Sequence, residues 1–305
     1  MRPLAPLNRR YLSLLGPGAP PTGLDGLRLL VRQHLCRVPF ENVSKLLLYG
    51  REGQGRAIGL GEFLDGIEFH DLGGTCYSAN PFFARLLRAL GYEATLLGAD
   101  MSAPDVHTAI RVLVEGRAYH VDVGYGTPFY APIPLEGLPW SVRGGRHRWV
   151  LQPGPLPSTY RMTEFEGIHP VHGYLVHGPS RTRRYFDRTI QESFEPGRTF
   201  MSCLRITRFF ATHHCDLRND TLLQVRGSRV KKTRLATRQE LREVVHGLLG
   251  MPRCPIDEAV DVLENLTGRR LFGAPPAWSP DSPEMETPPA FLPVPLARPA
   301  RRGQP

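Results

Sequence analysis

One stretch of the sequence, residues 72–80, combines residue types that could carry nucleophilic chemistry. Cys76 follows Gly73 by three positions and Gly74 by two, and an apolar pattern with helical spacing begins just after it. Glycines let the backbone turn tightly and let a ligand approach closely. A thiol near a helix N-terminus feels the positive end of the helix dipole, which favours the reactive thiolate. Since a free cysteine is also commonly a small buried apolar residue, this stretch predicts a nucleophile only if a base lies elsewhere.

A histidine and an aspartate on two predicted strands are the candidate partners of this thiol. Two runs rich in β-branched residues, 107–114 and 117–123, are separated by residues 115–116, Glu-Gly, which fit a two-residue hairpin turn. Because side chains alternate between faces, this turn places His107 and Asp122 on one polar face. As diagonal neighbours they would have Cα atoms about 7–8 Å apart, within side-chain reach. The opposite face collects apolar residues suited to a core: Ile110, Val112, Val114, Tyr119, Val121 and Val123.

This assignment depends on the register of the hairpin, and two alternatives stay open. A loop one residue longer or shorter would put His107 and Asp122 on opposite faces, and both could instead be solvated strand residues. His120 shares the polar face but lies nearer the turn. His169 and His172 lie in a segment rich in glycine and proline, where we expect exposed side chains.

Cysteine and histidine usage indicates neither a disulfide framework nor a metal site. None of the five cysteines belongs to a CxxC pair, which favours a reducing compartment. Residues 213–216, His-His-Cys-Asp, are of types that bind metals. Adjacent residues of an extended chain point to opposite faces, so this run is not expected to form a metal site. There is no apolar run of membrane-spanning length and no signal-peptide layout at the N-terminus. We therefore expect a cytoplasmic protein without a membrane partner.

The formal net charge of +9 raises the question of nucleic-acid binding. The basic residues are scattered and carry no aromatic-interleaved patch or nucleic-acid motif, so no nucleic-acid partner is expected. A basic cleft also suits a single phosphorylated ligand. Gly124 and Gly126 flank Tyr125 just after a predicted strand. A lone GxG is a weak phosphate signal, although its glycines could let phosphates approach the backbone.

The chain divides into regions with different residue patterns. The first region is predicted to be helical, with helices at 22–35 and around 60–67. A third helix is expected to begin with Asn80 as N-cap and Pro81 at its first position, which leaves Cys76 ahead of it. From about 92 to 190, short β-rich runs broken by glycine and proline suggest antiparallel strands in a small sheet or barrel.

The remainder of the chain mixes strands and helices. Residues 222–233 have the pattern of a hairpin, and Thr237 with Glu240 forms a capping box ahead of an amphipathic helix that ends near Gly250. A further helix is predicted after Pro255. Residues 274–305 are rich in proline and are expected to be disordered.

Three ordered motifs together resemble the arylamine N-acetyltransferase family: residues 38–42 (VPFEN), residues 73–80 (GGTCYSAN) and the segment from His107 to Gly126. The resemblance implies an α+β fold with a cysteine-protease-like catalytic core. Its parts would be a helical N-terminal domain over 1–90, a central antiparallel β-barrel over 91–195 and a C-terminal α/β lid over 196–273. The helix after Pro255 and the tail, 274–305, look like additions to it.

The resemblance also implies an activity: ping-pong transfer of acetyl from acetyl-coenzyme A to an arylamine or arylhydrazine, a reaction of xenobiotic metabolism. Cys76 would be the acetylated nucleophile, His107 its ion-pair partner and Asp122 the group that orients His107. The coenzyme A site would lie near Gly124, Tyr125, Gly126 and Thr127, and no metal is implied.

Two residues depart from the family pattern. Leu72 stands where the family commonly has arginine, and Ser78 where it commonly has glutamate. Joint loss of both partners of an ion pair can be nearly neutral, so we interpret them as a substituted structural pair. An amide synthase or thiol acyl-hydrolase with the same triad is an alternative, and a non-enzymatic scaffold is another. The amine acceptor, the acyl chain and the oligomeric state stay open.

Overall fold

The computed structural model describes residues 3–16, 18 and 20–273. The tail at 274–305, for which disorder was predicted, lies outside the described residues. The first ninety residues are mainly helical, in agreement with the sequence pattern. Their elements are α1 (Pro6–Leu15), α2 (Gly23–Arg37), the short strand β1 (Phe40–Glu41), α3 (Val43–Glu52), α4 (Leu60–His70) and α5 (Cys76–Ala89).

The predicted helices of this region correspond to α2 and α4, whereas α1 and α3 were not foreseen. Thr22 is the N-cap of α2, as predicted, and the helix ends before Pro39, whose ring disfavours helical backbone in the preceding residue. The apolar face of α2 is buried through Leu27, Leu30, Val31 and Leu35. Burial of this face, rather than the cap, holds the helix in place, because the Thr22 side chain makes no capping hydrogen bond.

The predicted start of the third helix is wrong. Helix α5 begins at Cys76 with Thr75 as N-cap, and Pro81 lies inside it. Pro81 removes one amide donor to the carbonyl four residues earlier, that of Tyr77. Asn80 does not cap the helix, because its amide is used in hydrogen bonds to a neighbouring sheet. Cys76 is therefore the first residue of the helix.

The central region forms a nearly closed antiparallel sheet of eight strands, in the order β5-β4-β3-β2-β9-β8-β7-β6. The α+β fold class with a central barrel is thereby confirmed. The segment around His169 and His172, expected to be a loop, is a long strand. The strands are β2 (Glu93–Asp100), β3 (His107–Val114), β4 (Arg117–Val121), β5 (Ile133–Pro134), β6 (Trp140–Gly144), β7 (His147–Pro153), β8 (Tyr160–Glu166) and β9 (His169–Ser180).

The β3–β4 hairpin has the predicted register. Val114 pairs with Arg117 across a turn in which Glu115 and Gly116 have φ angles of 52° and 76°. Positive φ at both positions is typical of the type I′ turn, which matches the twist of the strands. The expected apolar face packs in a core cluster with α2, α4 and α5. The register thus sends the opposite face, with His107, into the interior of the barrel region.

The last region combines a second sheet with three helices. This five-stranded sheet has the order β1-β10-β11-β12-β13, so a strand of the N-terminal region is its first member. The predicted helix after Thr237 begins as expected but continues from Val244 as a π-helical turn. The elements are α6 (Asp187–Glu192), β10 (Arg205–Phe209), β11 (His214–Arg218), β12 (Thr221–Arg226), β13 (Arg229–Arg234), α7 (Arg238–Glu243) and α8 (Ile256–Thr267).

Candidate active site

The loop before α5 holds Cys76 by contacts that only glycine permits at two positions. Gly74 has φ of 138°, and a Cβ on Gly73 would lie 2.0 Å from the carbonyl oxygen of Pro39. The amide of Gly73 donates to Oε1 of Glu41 at 2.9 Å. Cys76 itself is only 6% exposed at the N-terminus of α5. The two glycines of the sequence motif therefore let this loop pack closely against β1.

Glu41 is a buried carboxylate that joins two elements. Its Oε2 accepts from the amide of Ser44 at 2.8 Å, at the start of α3, while Oε1 holds the loop before the cysteine. Burial raises the pKa of Glu41 against the opposing effect of these hydrogen bonds. Leu72, which replaces the family's usual arginine, is packed in an apolar cluster. The Ser78 hydroxyl donates to the Thr75 carbonyl at 3.1 Å, so both departures are accommodated without a buried unpaired charge at either position.

His107 and Asp122 form the ion pair that the hairpin register predicted. His107 Nε2 lies 2.8 Å from Asp122 Oδ2, and each residue is 2% exposed, so neither is a solvated strand residue. Burial alone would lower the pKa of His107. The charges of Asp122 and Cys76, together with hydrogen bonds to both, outweigh it and raise that pKa to about 10. The raised pKa favours the imidazolium form of His107, which also hydrogen-bonds the Cys76 side chain.

Asp122 is held by three further donors. The Asn80 amide and the Gly124 backbone amide each donate to Oδ1 at 2.9 Å, and the Tyr174 hydroxyl donates to Oδ2 at 2.8 Å. Burial would raise the pKa of Asp122, but the charge and hydrogen bond of His107, helped by Asn80, lower it to about 2. The carboxylate thus stays ionised and fixed in direction, as an orienting group for His107 requires.

Asn80 connects the nucleophile's helix with the strands that carry its partners. Besides Asp122, its Nδ2 donates to the carbonyl of Thr108 at 2.6 Å, and its Oδ1 accepts from the amide of Val123 at 2.9 Å. Thr108 in turn donates from its hydroxyl to the carbonyl of Cys76 at 2.9 Å. Sequence reasoning assigned Asn80 to a helix cap. The sequence signal for this connecting role is that Asn80 is a polar residue within the buried face of an otherwise apolar helical pattern.

His120 extends the network into the barrel. Its Nε2 lies 3.0 Å from the Tyr174 hydroxyl and its Nδ1 lies 3.2 Å from the Tyr160 hydroxyl. Because Tyr174 donates its proton to Asp122, it accepts from Nε2–H of His120, and Nδ1 then accepts from Tyr160. Burial lowers the pKa of His120 to about 4, which agrees with this neutral tautomer. The two tyrosines come from β8 and β9 and had no signal in the sequence beyond their strand positions.

The segment predicted to contact a cofactor lies beside the nucleophile. A Cβ on Gly124 would lie 2.6 Å from Cys76 Cα, and Gly126, with φ of 79°, packs against the Phe40 ring. The Tyr125 hydroxyl hydrogen-bonds His172. The Thr127 hydroxyl is buried and has no hydrogen-bond partner among the described residues.

The other candidate groups do not form a second site of this kind. In the ranges 3–16, 18 and 20–273, no group of three or more His, Cys, Asp or Glu residues is arranged to hold a metal ion. Residues 213–216 enter β11, where His214 and Cys215 alternate in direction. No helix in the described part of the chain is long and apolar enough to span a membrane.

The contacts described above form a site of three groups. These are the buried Cys76 side chain at a helix N-terminus, the His107 ring and the Asp122 carboxylate, which is fixed in direction. In nucleophilic catalysis, sets of these three groups let a sulfur attack a carbonyl carbon while the imidazole carries the proton for the leaving group. The fold and the site together define an α+β protein with a cysteine–histidine–aspartate centre between its helical and barrel regions.

Comparison with known proteins assigns this arrangement to a family. A model of the N-acetyltransferase family matches residues 23–252. The arylamine N-acetyltransferase 2 of Macaca mulatta is 26% identical over 187 residues, covering 59% of this chain and 54% of that protein. The chain belongs to the arylamine N-acetyltransferase family, as the three sequence motifs predicted. It spans about half the length of several curated relatives it matches.

Solved structures show the same fold. The arylamine N-acetyltransferase of Salmonella typhimurium superimposes with a TM-score of 0.71 at 20% identity, covering 86% of this chain and all of that one. The Mycobacterium marinum arylamine N-acetyltransferase in complex with CoA gives a TM-score of 0.71 at 20% identity, covering 85% of this chain and 98% of the other. The family match ends at residue 252, before α8.

Proposed function

We propose that the protein transfers acetyl from acetyl-coenzyme A to an arylamine or arylhydrazine through a thioester on Cys76. The observation that carries this proposal is the buried His107–Asp122 pair, with its 2.8 Å contact, beside a cysteine at the N-terminus of α5. Membership of the family supports the acyl group and the acceptor class. The relative described in complex with CoA supports coenzyme A as the carrier.

In the first half-reaction, the Cys76 thiolate attacks the carbonyl carbon of the acetyl thioester. A bond forms between Cys76 Sγ and that carbon, and the bond from the carbon to the coenzyme A sulfur breaks. The leaving thiolate takes the proton of the His107 imidazolium, so coenzyme A departs as a thiol and His107 becomes neutral. The raised pKa of His107 means that the proton is present when the reaction begins.

In the second half-reaction, the amine nitrogen attacks the same carbonyl carbon of acetyl-Cys76. Its proton passes to neutral His107, the carbon–sulfur bond breaks, and the Cys76 thiolate and the imidazolium are restored. Asp122 holds the ring so that one nitrogen faces the sulfur in both steps. Gly124 to Thr127 would border the coenzyme A site, for which the unpaired Thr127 hydroxyl is a candidate donor.

The C-terminal region would act as the lid of this site. Strand β10 pairs with β1 through Phe40 and Glu41, and Glu41 holds the loop before Cys76. This pairing attaches residues 196–273 directly to β1, and Glu41 of β1 connects them to the loop before the nucleophile.

Steady-state kinetics test the proposed reaction. With acetyl-coenzyme A and an arylamine varied together, we expect parallel double-reciprocal lines, as a ping-pong mechanism requires, and no turnover by the Cys76→Ala variant. The Cys36→Ser variant is the matched control and should retain activity. Hydrolysis of acetyl-coenzyme A that is faster than transfer would instead indicate a thiol acyl-hydrolase.

A further inference from the structure

A cavity of about 60 Å³ lies next to the N-terminus of the nucleophile's helix. This volume is several times the ~10–15 Å³ needed to hold one water molecule. It opens between α3, the segment before α4, the loop before α5 and α6. Cys76, His107 and Asp122 are not among its lining residues, but Gly74, Thr75, Tyr77 and Ser78 are, so the cavity adjoins the site described above.

The charges around this cavity are all of one sign. Lys45, Arg56 and Arg183 line it, and no acidic residue does. Arg56 is neutralised, because it pairs with Glu52 and Glu62 at 2.7 Å each. Lys45 and Arg183 are the two other cationic side chains that line the cavity.

Lys45 is a buried amine with which no carboxylate pairs among the described residues. It is 8% exposed, and its Nζ donates to the carbonyl and the hydroxyl of Ser193 at 2.5 and 2.6 Å, above the Phe194 ring. Among the described residues it forms no ion pair. Burial lowers its pKa to about 7, against a smaller opposing effect of Cys76. A buried charge without a counter-ion is costly unless a ligand supplies one.

Arg183 is the second cation. One guanidinium nitrogen donates to the carbonyl of Ile58, while its Nε is buried and has no hydrogen-bond partner in the described part of the chain. The guanidinium also lies 5.4 Å from the Phe82 ring centre. Thr75, the N-cap of the fourteen-residue helix α5, lines the cavity without making a capping hydrogen bond. The helix dipole therefore adds to the positive potential.

The remaining walls are largely apolar. Leu48, Ile58, Ile190 and Phe194 line the cavity together with the hydroxyls of Ser44 and Ser78. An inorganic phosphate would leave these apolar walls without a partner. A small organic acid satisfies both features, because its carboxylate pairs with the cations and its apolar body contacts the walls.

We propose that this cavity binds the carboxylate of a small organic acid between Lys45 and Arg183, with the apolar part of the acid against Leu48 and Phe194. The ligand is either a free acid or the carboxylate of an amine substrate. The binding site itself does not depend on the proposed acetyl transfer.

Calorimetric titration with benzoate and with its neutral analogue benzamide, at pH 6.5 and constant ionic strength, tests the site. We expect benzoate to bind at least about tenfold more tightly than benzamide, and Lys45→Met to weaken benzoate binding by about tenfold or more. Arg188→Met is the matched control, since Arg188 pairs with Glu192 outside this cavity. It should leave benzoate binding unchanged.

Two further variants keep the test decisive if Lys45→Met does not fold. Arg183→Met should weaken benzoate binding in the same direction, and Ser78→Glu, which places a carboxylate in the cavity, should abolish it while raising the melting temperature. Equal affinity for benzoate and benzamide, or unchanged benzoate affinity in both folded cation variants, would overturn the proposal.

A kinetic comparison identifies the source of the carboxylate, and this arm alone rests on the proposed function. If the acid is carried by the amine substrate, Arg183→Met raises KM for 4-aminobenzoate but not for 4-aminobenzamide. If the acid is free, both KM values stay unchanged while benzoate binding is still lost. Either result retains the carboxylate site, whose existence the calorimetry decides separately from any turnover.

Discussion

Asp122 shows how individual residues combine into the site. It accepts hydrogen bonds from His107, Asn80, Gly124 and Tyr174, which come from four different segments of the chain. The contact of Asp122 with His107 was predictable from the sequence, because both residues belong to one hairpin. There the alternation of side chains and the length of the turn determine which face each residue occupies. Tyr174 lies on a distant strand, so its direction depends on tertiary pairing that a sequence pattern does not encode.

His120 gives a prediction about stability and pH. The His120→Phe variant leaves the Tyr160 hydroxyl without its acceptor, and we expect a loss of about 1–3 kcal/mol in unfolding free energy at pH 7. Because burial lowers the pKa of His120 to about 4, its unfolded form binds a proton first as pH falls below 6.5. The wild type therefore loses stability from this group between pH 6.5 and 4.

The difference in unfolding free energy between the wild type and His120→Phe should consequently narrow as the pH falls from 6.5 to 4. Urea unfolding at pH 7 and at pH 4.5 measures it, with the exposed residue His169 changed to Asn as control. A gap between wild type and His120→Phe that widens toward acid pH would show that His120 is protonated in the folded protein.

At the scale of elements, α5 and the β3–β4 hairpin place the reacting groups. The hairpin was predictable from its Glu-Gly turn and alternating apolar residues. The start of α5 was not, because Asn80 and Pro81 form a good local start signal that tertiary contacts override. Asn80 gains more hydrogen bonds from β3 and the segment after β4 than a helix cap would provide.

The close approach of the loop after β4 to α5 can be tested at Gly124. A Cβ there would lie 2.6 Å from Cys76 Cα, so Gly124→Ala must displace one backbone. We expect a loss of about 1–3 kcal/mol in stability and slower alkylation of Cys76 by iodoacetamide. Gly61→Ala in α4, where a Cβ meets nothing within 4 Å, is the control and should be neutral or slightly stabilising. Equal behaviour of the two variants would refute the close packing.

For the whole molecule, the buried side-chain amide of Asn42 links the N-terminal and C-terminal regions in addition to the pairing of β1 with β10. Asn42 Nδ2 donates to the carbonyls of Phe200 and Cys203 at 2.8 and 2.6 Å, and its Oδ1 accepts from the Arg205 amide at 2.7 Å. The sequence contained Asn42 within a family motif, but nothing in its neighbourhood indicated a partner more than 150 positions away. Such long-range contacts are where sequence patterns are least informative.

Removing this amide should loosen the C-terminal region. Asn42→Ala leaves three backbone groups without partners, and we expect a loss of about 3 kcal/mol in unfolding free energy. Amide hydrogen exchange in β10 should become faster, whereas the exposed control Asn265→Ala should match wild type. Unchanged exchange in β10 of Asn42→Ala would mean that strand pairing alone holds the two regions.

Helix α8 lies beyond the matched family segment and still contributes to the fold. Leu263 is buried in a cluster that includes residues of α3 and β10. Leu263→Ala should cost about 2–4 kcal/mol in thermal or urea unfolding without changing the alkylation rate of Cys76. A slower alkylation in the folded variant would instead couple α8 to the site.

The most direct test of the central claim is the intact mass of the protein after addition of acetyl-coenzyme A without an amine. We predict that the wild type and Cys36→Ser gain the mass of one acetyl group, that Cys76→Ala gains none, and that Asp122→Asn gains it at least about 100-fold more slowly because His107 loses its orienting charge. Addition of an arylamine should return the mass to its starting value. Acetylation that persists in Cys76→Ala, or no acetylation of the wild type, would contradict a reaction through Cys76.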